Sequence, residues 1–214
     1  MQPNRLHEIF SIDSSNAGYY KNYSKYLNEL MSSLNYGAIA KGSKCFLGAR
    51  EKGATIFFVG NGGSAATASH MANDFGMDVL KKGGGDLPFR ALALTDNTSV
   101  MLAIANDDGY DRLFVNQLRI HYRSGDKLVA ISASGNSPNV VAAAEWVKAR
   151  GGTVMSLVGF DGGRLKEISD VTIHAKSEKG EYGPVEDIHL IMDHLLANWL
   201  QFRVQLERRR ENKL

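Results

Sequence analysis

The chain has 214 residues, of which 43% are hydrophobic and 22% are charged, and its formal net charge is +2. This length favours one well-buried globular domain over residues 1–214, and the near balance of charge argues against a protein that binds nucleic acid. The single cysteine excludes an internal disulfide, and no apolar run approaches the roughly 20 residues that cross a bilayer, so we expect a cytoplasmic protein that enters no membrane.

Residues 1–52 are predicted to form helices. Apolar and aromatic side chains recur at helical spacings over residues 19–31 and again over residues 39–47. Residues 33–37 break this pattern, and no strand-like run occurs in this part of the sequence. We therefore expect two amphipathic helices here.

Residues 53–176 alternate short apolar runs with helical stretches. Such alternation predicts a parallel sheet covered by helices on both faces. The runs that we interpret as strands are residues 55–59, 91–94, 128–131, 153–158 and 171–173.

Residues 184–211 are predicted to form one long helix that begins at Pro184, since proline suits the first helical position. Its apolar side chains form a single stripe, which we expect to pack along the domain or against a partner. The basic residues near its end complement the helix dipole, so we interpret them as solvated rather than as a nucleic-acid site. The stripe consists of Ile188, Ile191, Leu195, Trp199 and Phe202.

A serine-rich segment, residues 132–138, lies between a predicted strand and a predicted helix. Ser132, Ser134 and Ser137 offer three hydroxyls beside free backbone amides, and the helix that follows has a positive N-terminus. Ser137 fits the N-cap and Pro138 the first helical position. This arrangement is typical of a phosphate site, although a plain serine-rich turn that caps a helix has the same pattern.

A second loop of this kind, residues 60–64, follows the first predicted strand and precedes a helix. Gly60, Gly62 and Ala65 match the pattern G-x-G-x-x-A, which makes a dinucleotide-binding fold one candidate. That pattern also needs an acidic residue at the end of a strand about 20 residues later, whereas residues 81–85 read Lys-Lys-Gly-Gly-Gly and are interpreted as a loop. A smaller phosphorylated ligand accounts for both loops at least as well.

A histidine and a carboxylate follow the second of these loops. His70 and Asp74 are four residues apart on a predicted helix, so their side chains are neighbours. They can converge on one proton or one metal ion, or they can form an ordinary exposed pair.

The last predicted helix carries a further set of histidines and carboxylates. Asp187 shares a face with His194, while Glu186 lies eight residues from His194 and about 80° round the helix. Spacing therefore favours Asp187 as the partner of His194, with Glu186 left open because the geometry of a first turn varies. His189 lies on a different face and is predicted to be structural.

Five motifs, taken in chain order, closely resemble those of the phosphoheptose isomerases, which belong to the sugar isomerase (SIS) domain superfamily. The resemblance covers nearly the whole chain, and five ordered motifs are far more specific than any one of them. The motifs are residues 60–64 with His70, 103–107 with Gly109, 131–137, 159–163, and 186–189 with His194.

The resemblance implies an α/β fold, a three-layer sandwich whose central five-stranded parallel sheet has the flavodoxin-like SIS arrangement, with N-terminal helices added. It implies a homotetramer in which the N-terminal and C-terminal helices pack centrally and active sites are shared between subunits. The implied reaction converts a small sugar phosphate, D-sedoheptulose 7-phosphate, to D-glycero-D-manno-heptose 7-phosphate. This aldose-ketose isomerisation is an early step towards the heptoses of bacterial surface polysaccharides.

Site residues carry over position by position. Asp74, Glu186 and His194 are implied to be catalytic, acting through a metal-assisted enediolate. The implied ligands of a zinc ion, or of another divalent metal, are His70, Asp74, Glu186 and His194. The positions that match substrate contacts are Asn61, Gly62, Gly63, Ser64, Asn106, Asp107, Ser132, Ala133, Ser134, Ser137 and Glu186.

Three positions depart from the family pattern. Asp74 stands where the family usually has a glutamate that is both ligand and base, Glu186 where it has a glutamine, and Ala133 where a hydroxyl is common. The added carboxylate favours a divalent cation and raises the pKa of whichever carboxylate is held less tightly. Zinc is the expected metal, although oxygen ligands leave other divalent ions open. The general base is Asp74 or, as the alternative, Glu186.

Two other readings stay open at this point. One is an isomerase of another sugar phosphate, because phosphate loops report the phosphate end and say little about the length of the sugar. The other is a non-catalytic SIS protein that senses sugar phosphates or binds the bacterial replication initiator. The presence of both His70 and His194 argues against that second reading.

Overall fold

The computed structural model describes residues 4–84 and 87–211. Three helices precede the first strand: α1 (Arg5–Ile12), α2 (Asn16–Ser32) and α3 (Tyr36–Glu51). The two predicted amphipathic helices correspond to α2 and α3. The prediction missed α1. This helix is short and buries only Ile9, so it has no apolar stripe, and its N-cap Asn4 is a weaker sequence signal than such a stripe.

The five strands form one fully parallel sheet, as predicted. They are β1 (Thr55–Val59), β2 (Arg90–Ala93), β3 (Lys127–Ser132), β4 (Thr153–Val158) and β5 (Val171–His174). Their order across the sheet is β2-β1-β3-β4-β5. The chain therefore adds β2 on one side of β1 and the later strands on the other side, which makes the position between β1 and β3 the topological switch point. Ligands of such folds bind beyond the carboxyl ends of the strands at this switch point. Both glycine- and serine-rich loops follow these two strands.

Helices cover both faces of the sheet, which confirms the three-layer α/β fold. One apolar core joins α3 and the last helix to side chains such as Phe58 and Ile131, and the other joins the opposite helices to side chains such as Phe57 and Leu128. The remaining helices are α4 (Gly63–Asn73), α5 (Val79–Gly83), α6 (Thr98–Asp107), α7 (Leu113–His121), α8 (Pro138–Lys148), α9 (Gly163–Ile168) and α10 (Tyr182–Glu211).

Part of the segment that was interpreted as a loop is helical. A π-helical turn, Asp74–Asp78, continues α4 directly into α5, which includes Lys81 and Lys82. The helix ends at Gly83, and the C-cap residue Gly84 has a φ of +69°, the left-handed conformation that glycine adopts at a helix C-terminus. Gly85, the last residue of that segment, lies outside the described residues.

The last helix, α10, begins at Tyr182 rather than at Pro184. Pro184 therefore lies within the first turn, where a backbone N–H has no helical partner to lose. The predicted apolar stripe is divided: Ile188 is buried, whereas Leu195, Trp199 and Phe202 are exposed. A second stripe packs on the domain instead, and it consists of Val185, Ile188, Met192, Leu196, Leu200 and Val204. Among the described residues, no helix is long and apolar enough to cross a membrane.

Candidate active site

Three serine hydroxyls converge at the end of β3. The Ser132 hydroxyl lies 3.0 Å from that of Ser137 and 3.4 Å from that of Ser134. Ser137 occupies the N-cap of α8 with Pro138 after it, as predicted, but its hydroxyl makes no capping hydrogen bond. The hydroxyl faces the loop instead, so the loop presents a set of polar groups beside the positive end of α8.

The loop between β4 and α9 braces this serine loop. Gly159 N–H donates to the Ala133 carbonyl, and Leu165 N–H donates to the Gly135 carbonyl, each at 2.9 Å. Gly135 has a φ of +63°, and a Cβ atom there would overlap the Gly162 carbonyl. The motif at residues 159–163 is therefore a support that fixes the serine loop in position.

The glycine loop that follows β1 leaves the N-terminus of α4 open. Gly62 is the N-cap with a φ of +51°, and it offers no side chain to the free amides of the first turn. The Asn61 side chain is tied down, because it exchanges two 2.8 Å hydrogen bonds with Asn139 and accepts another from Tyr110. Sequence reasoning missed Asn139, a fully buried polar residue on the apolar face of α8.

The two loops and the start of α10 enclose a cavity of about 140 Å³. Cavities for larger organic ligands are typically about 300–1,000 Å³, so this volume favours a small polar group over a dinucleotide. Glu186 reaches in from α10, and a Cβ atom at Gly63 would overlap its carboxylate. We call this space the serine cavity, and its lining residues are Asn61, Ser64, Ile131, Ser132, Ala133, Ser134, Ser137, Tyr182 and Glu186.

A second group of side chains, which we call the histidine cluster, comprises His70, Asp74, Asp193 and His194. Each residue offers a ligand atom, and these atoms lie within 4.8 Å of one another. His70 Nε2 is 3.4 Å from Asp74 Oδ1, and the centroids of the two imidazole rings are 5.1 Å apart. The cluster holds three of the four predicted metal ligands, and the fourth, Glu186, is in the serine cavity.

Asp74 is the first residue of the π-helical turn that joins α4 to α5. Such turns occur frequently at functional sites, where they alter the direction of side chains. The side chain of His70 is 42% exposed, whereas that of Asp74 is 14% exposed. The pair is therefore not an ordinary solvated pair on a helix surface.

Asp193 was missed by sequence reasoning. It is fully buried on α10, and among residues 4–84 and 87–211 neither of its side-chain oxygens has a hydrogen-bond partner. Burial, and then the nearby Asp74, raise the pKa of Asp193 to about 8. The sequence did contain a signal for it: Asp193 is a carboxylate that lies between the apolar Met192 and Leu196 in the helix that packs on the core.

The donor set of the histidine cluster fits a divalent cation. Two imidazoles and two carboxylates are ordinary ligands of zinc, and they also suit other first-row divalent ions. A buried carboxylate without a hydrogen-bond partner is unfavourable unless a cation or a proton accompanies it. The composition of the cluster therefore agrees with the expected metal.

Glu186 lies in a different electrostatic setting. Burial first, and then its neighbour Asp187, raise the pKa of Glu186 above its ordinary value. Asp187 accepts a 2.6 Å hydrogen bond from the Tyr23 hydroxyl on α2. The spacing-based pairing of Asp187 with His194 is wrong, because residues seven apart share a helix face but are separated by about 10 Å along the axis.

His189 is almost fully buried in the interior of the domain, at 1% exposure. Burial is the main cause that lowers its pKa to about 4. This environment agrees with the structural role that was predicted for it.

Acid should destabilise the protein partly through His189. Between pH 6.5 and about 4 this residue is protonated in the unfolded chain but not in the folded chain. The free energy of unfolding is therefore not reduced by this residue above pH 6.5, and it falls as the pH is lowered towards 4. The full effect is on the order of 3 kcal/mol. Urea unfolding of His189→Leu should show a shallower fall in unfolding free energy over this range. Ile188→Val, which changes a buried neighbour that carries no titratable group, should retain the parent slope. Equal slopes in all three proteins would contradict this account.

Asn106 and Asp107 lie apart from both groups. They end α6, both are exposed, and Asn106 donates a 2.7 Å hydrogen bond to Asp107. Neither residue lines the serine cavity or belongs to the histidine cluster. In the single chain these two predicted substrate contacts therefore face outwards.

Helices α4 and α10 connect the two sites. On α4, Ser64 lies at the serine cavity and His70 in the histidine cluster, about 9 Å further along the helix. On α10, Glu186 lies at the serine cavity and His194 in the histidine cluster, about 12 Å further along the helix. The cluster opens into a separate polar cavity of about 280 Å³. One chain thus combines a site suited to an anion with a site suited to proton transfer or a metal.

Comparison with known proteins agrees with this geometry. The SIS domain family profile matches residues 18–159. A phosphoheptose isomerase from Rhodospirillum rubrum is 37% identical over 164 residues, which cover 77% of this chain and 85% of that protein. A phosphoheptose isomerase from Chlorobium phaeobacteroides is 32% identical over 180 residues, which cover 84% of this chain and 78% of that protein.

Two solved structures of phosphoheptose isomerases have folds similar to that of this chain. The phosphoheptose isomerase of Neisseria gonorrhoeae superposes with a TM-score of 0.73 at 30% identity, over 86% of this chain and 95% of that one. A phosphoheptose isomerase from Francisella tularensis has a TM-score of 0.73 at 25% identity, over 89% of this chain and 97% of that one.

Proposed function

The chain belongs to the phosphoheptose isomerase family of the SIS domain superfamily, and from this membership we propose that it converts D-sedoheptulose 7-phosphate to D-glycero-D-manno-heptose 7-phosphate. The observation that carries the proposal is that the chain combines the serine cavity, which suits a phosphate, with the histidine cluster, which suits proton transfer beside a metal. A sugar phosphate has its phosphate at one end and its reacting carbons at the other, so it offers a group to each kind of site.

The serine cavity binds the phosphate in this proposal. The hydroxyls of Ser132, Ser134 and Ser137 donate to the phosphate oxygens, and Ser64 contributes from the first turn of α4. The free amides at the N-termini of α4 and α8 add partial positive charge. Because Ala133 carries no hydroxyl, the backbone at that position supplies the remaining contact.

Proton transfer takes place at the histidine cluster. Asp74 removes the proton from carbon and returns it to the adjacent carbon, while His194 exchanges protons with the sugar oxygens. We assign the base to Asp74 because it lies beside His194, whereas Glu186 lies among the phosphate-binding groups. Glu186, with its raised pKa, contacts the hydroxyls of the sugar chain near the phosphate.

His70, Asp74 and His194 are the predicted ligands that would hold the metal in this chain. A divalent cation such as zinc, when bound there, supplies a Lewis acid that polarises the sugar oxygens and stabilises their developing negative charge. The imidazoles are held on two separate helices, so the packing of α4 against α10 orients them.

We propose that the active enzyme is a homotetramer with shared active sites. Two surfaces of the single chain support this assembly. Along α10, Leu195, Trp199, Phe202 and Leu206 form an exposed apolar stripe. Helix α6 carries Leu102 at 65% exposure and ends at Asn106 and Asp107, which would reach the sugar bound by a neighbouring subunit.

The test is conversion of sedoheptulose 7-phosphate by metal-free and zinc-loaded protein, with the aldose product followed by mass-resolved chromatography. Pentose and hexose phosphates are assayed beside it. We expect heptose 7-phosphate to form and zinc to increase its rate. Faster turnover of a shorter sugar would replace the substrate, and the absence of any product with zinc-loaded protein would refute catalysis and favour a sugar-phosphate-binding role.

A further inference from the structure

Asp193 is a buried carboxylate for which the fold alone gives no reason. It is fully buried, and within the described part of the chain neither of its oxygens accepts a hydrogen bond. A carboxylate in this position is unfavourable unless a cation or a proton compensates it. The ligand atoms that surround Asp193 favour a cation.

The groups around Asp193 identify that cation. Ligand atoms of His70, Asp74 and His194 all lie within 4.8 Å of one another and of a carboxylate oxygen of Asp193. Two neutral imidazoles and two carboxylates make a four-ligand set whose formal charge balances a divalent cation. Such a set contains the number and kind of ligands that zinc takes in proteins.

Glu186 cannot complete this set within one chain as the structure stands. Its carboxylate lines the serine cavity against Gly63, and eight residues of helix separate it from His194. That separation corresponds to about 12 Å along the axis of α10. Within one chain, the fourth protein ligand must therefore come from another residue.

We propose that Asp193 is the fourth protein ligand of the divalent cation, in the place that the family resemblance assigns to Glu186. The metal site is then complete within one subunit, with two ligands from α4 and its π-helical turn and two from α10. Glu186 remains free for the sugar phosphate. The proposal rests on the proposed function only in assigning the cation to that reaction, since binding of the cation is measured separately.

Metal affinity tests the proposal without any assay of turnover. Metal-free protein is titrated with zinc against a chromophoric chelator, and Asp193→Asn is compared with Glu186→Gln. We expect the parent to bind one zinc per chain, Asp193→Asn to bind at least about 10- to 100-fold more weakly, and Glu186→Gln to bind within about threefold of the parent. Parent-like affinity in Asp193→Asn, or an equal loss in Glu186→Gln, would overturn the assignment.

Cobalt spectroscopy shows directly whether residue 193 touches the metal. Asp193→Cys loaded with Co²⁺ should gain a thiolate-to-cobalt charge-transfer band, because the new sulfur would replace a carboxylate ligand. Glu186→Cys, loaded in the same way, should lack that band, and so should the parent with its native Cys45. A band in Glu186→Cys but not in Asp193→Cys would reverse the assignment. If Asp193→Cys does not fold, the nearly isosteric Asp193→Asn decides through the zinc titration.

The two proposals fail in different ways. Zinc binding that depends on Asp193 in a protein that isomerises no sugar phosphate would refute the proposed function and leave the ligand assignment standing. An active isomerase whose zinc affinity is insensitive to residue 193 would refute the ligand assignment alone.

Discussion

Asp74→Asn is expected to lower kcat for the isomerisation by about 100- to 10,000-fold, the range attributed to a positioned acid or base. The amide has nearly the same shape as the carboxylate but cannot accept the carbon-bound proton at neutral pH. The assay is run at saturating zinc, so that weaker metal binding does not account for the loss. KM should change little, because the serine cavity that binds the phosphate is untouched.

Glu29→Gln is the control for this variant, since it also turns a carboxylate into its amide. Glu29 lies on α2 with its side chain 60% exposed, pairs with Arg5 at 3.6 Å, and lines neither the serine cavity nor the cavity of the histidine cluster. We expect it to retain activity within about twofold of the parent. If Asp74→Asn retained more than a tenth of the parent kcat while Glu186→Gln lost most of it, the general base would be Glu186.

Ser132→Ala is expected to raise KM for the sugar phosphate by about 10- to 100-fold, with kcat changed only a few-fold. A hydrogen bond to a charged group contributes about 1.5–3 kcal/mol, and 1.4 kcal/mol corresponds to a factor of ten in affinity. Ser132 is buried and its hydroxyl lies next to that of Ser137, so the loss also removes an orienting contact. Initial rates over a range of substrate concentrations separate the two parameters.

The control is Ser43→Ala, which removes a buried hydroxyl far from the loops. The Ser43 hydroxyl donates to the Ile39 carbonyl within α3. This variant should retain the parent KM even if it is slightly less stable. An unchanged KM in Ser132→Ala would contradict the assignment of the serine cavity to phosphate.

The sequence was most informative where the relevant contacts are local. The five strands are short continuous apolar runs, and the serine loop is one contiguous segment, so periodicity and helix-capping residues predicted both. Ser137 shows the limit of this approach. Its place at the N-cap followed from Pro138, but the direction of its hydroxyl depends on Ser132 at the end of the preceding strand.

The candidate metal site was harder to predict because its members come from elements far apart in the sequence. Helical spacing indicates which residues share a face, but not what lies opposite that face. Asp187 and Glu186 were weighed as partners of His194, whereas the packing of α10 against α4 brings His70 and Asp74 to it, beside its own chain neighbour Asp193. The orientation of Asn106 and Asp107 away from the site likewise depends on where α6 lies in the fold.

Helices α4 and α10 fix the distance and the relative orientation of the serine cavity and the histidine cluster. Inserting one residue between Ser64 and His70 would turn the imidazole by about 100° and remove it from the cluster. Only a change of about one whole turn restores the direction, and it alters the spacing by about 5.4 Å. We therefore expect the spacing and relative orientation of the two sites to resist small insertions and deletions in α4 and to change in steps of about one helical turn.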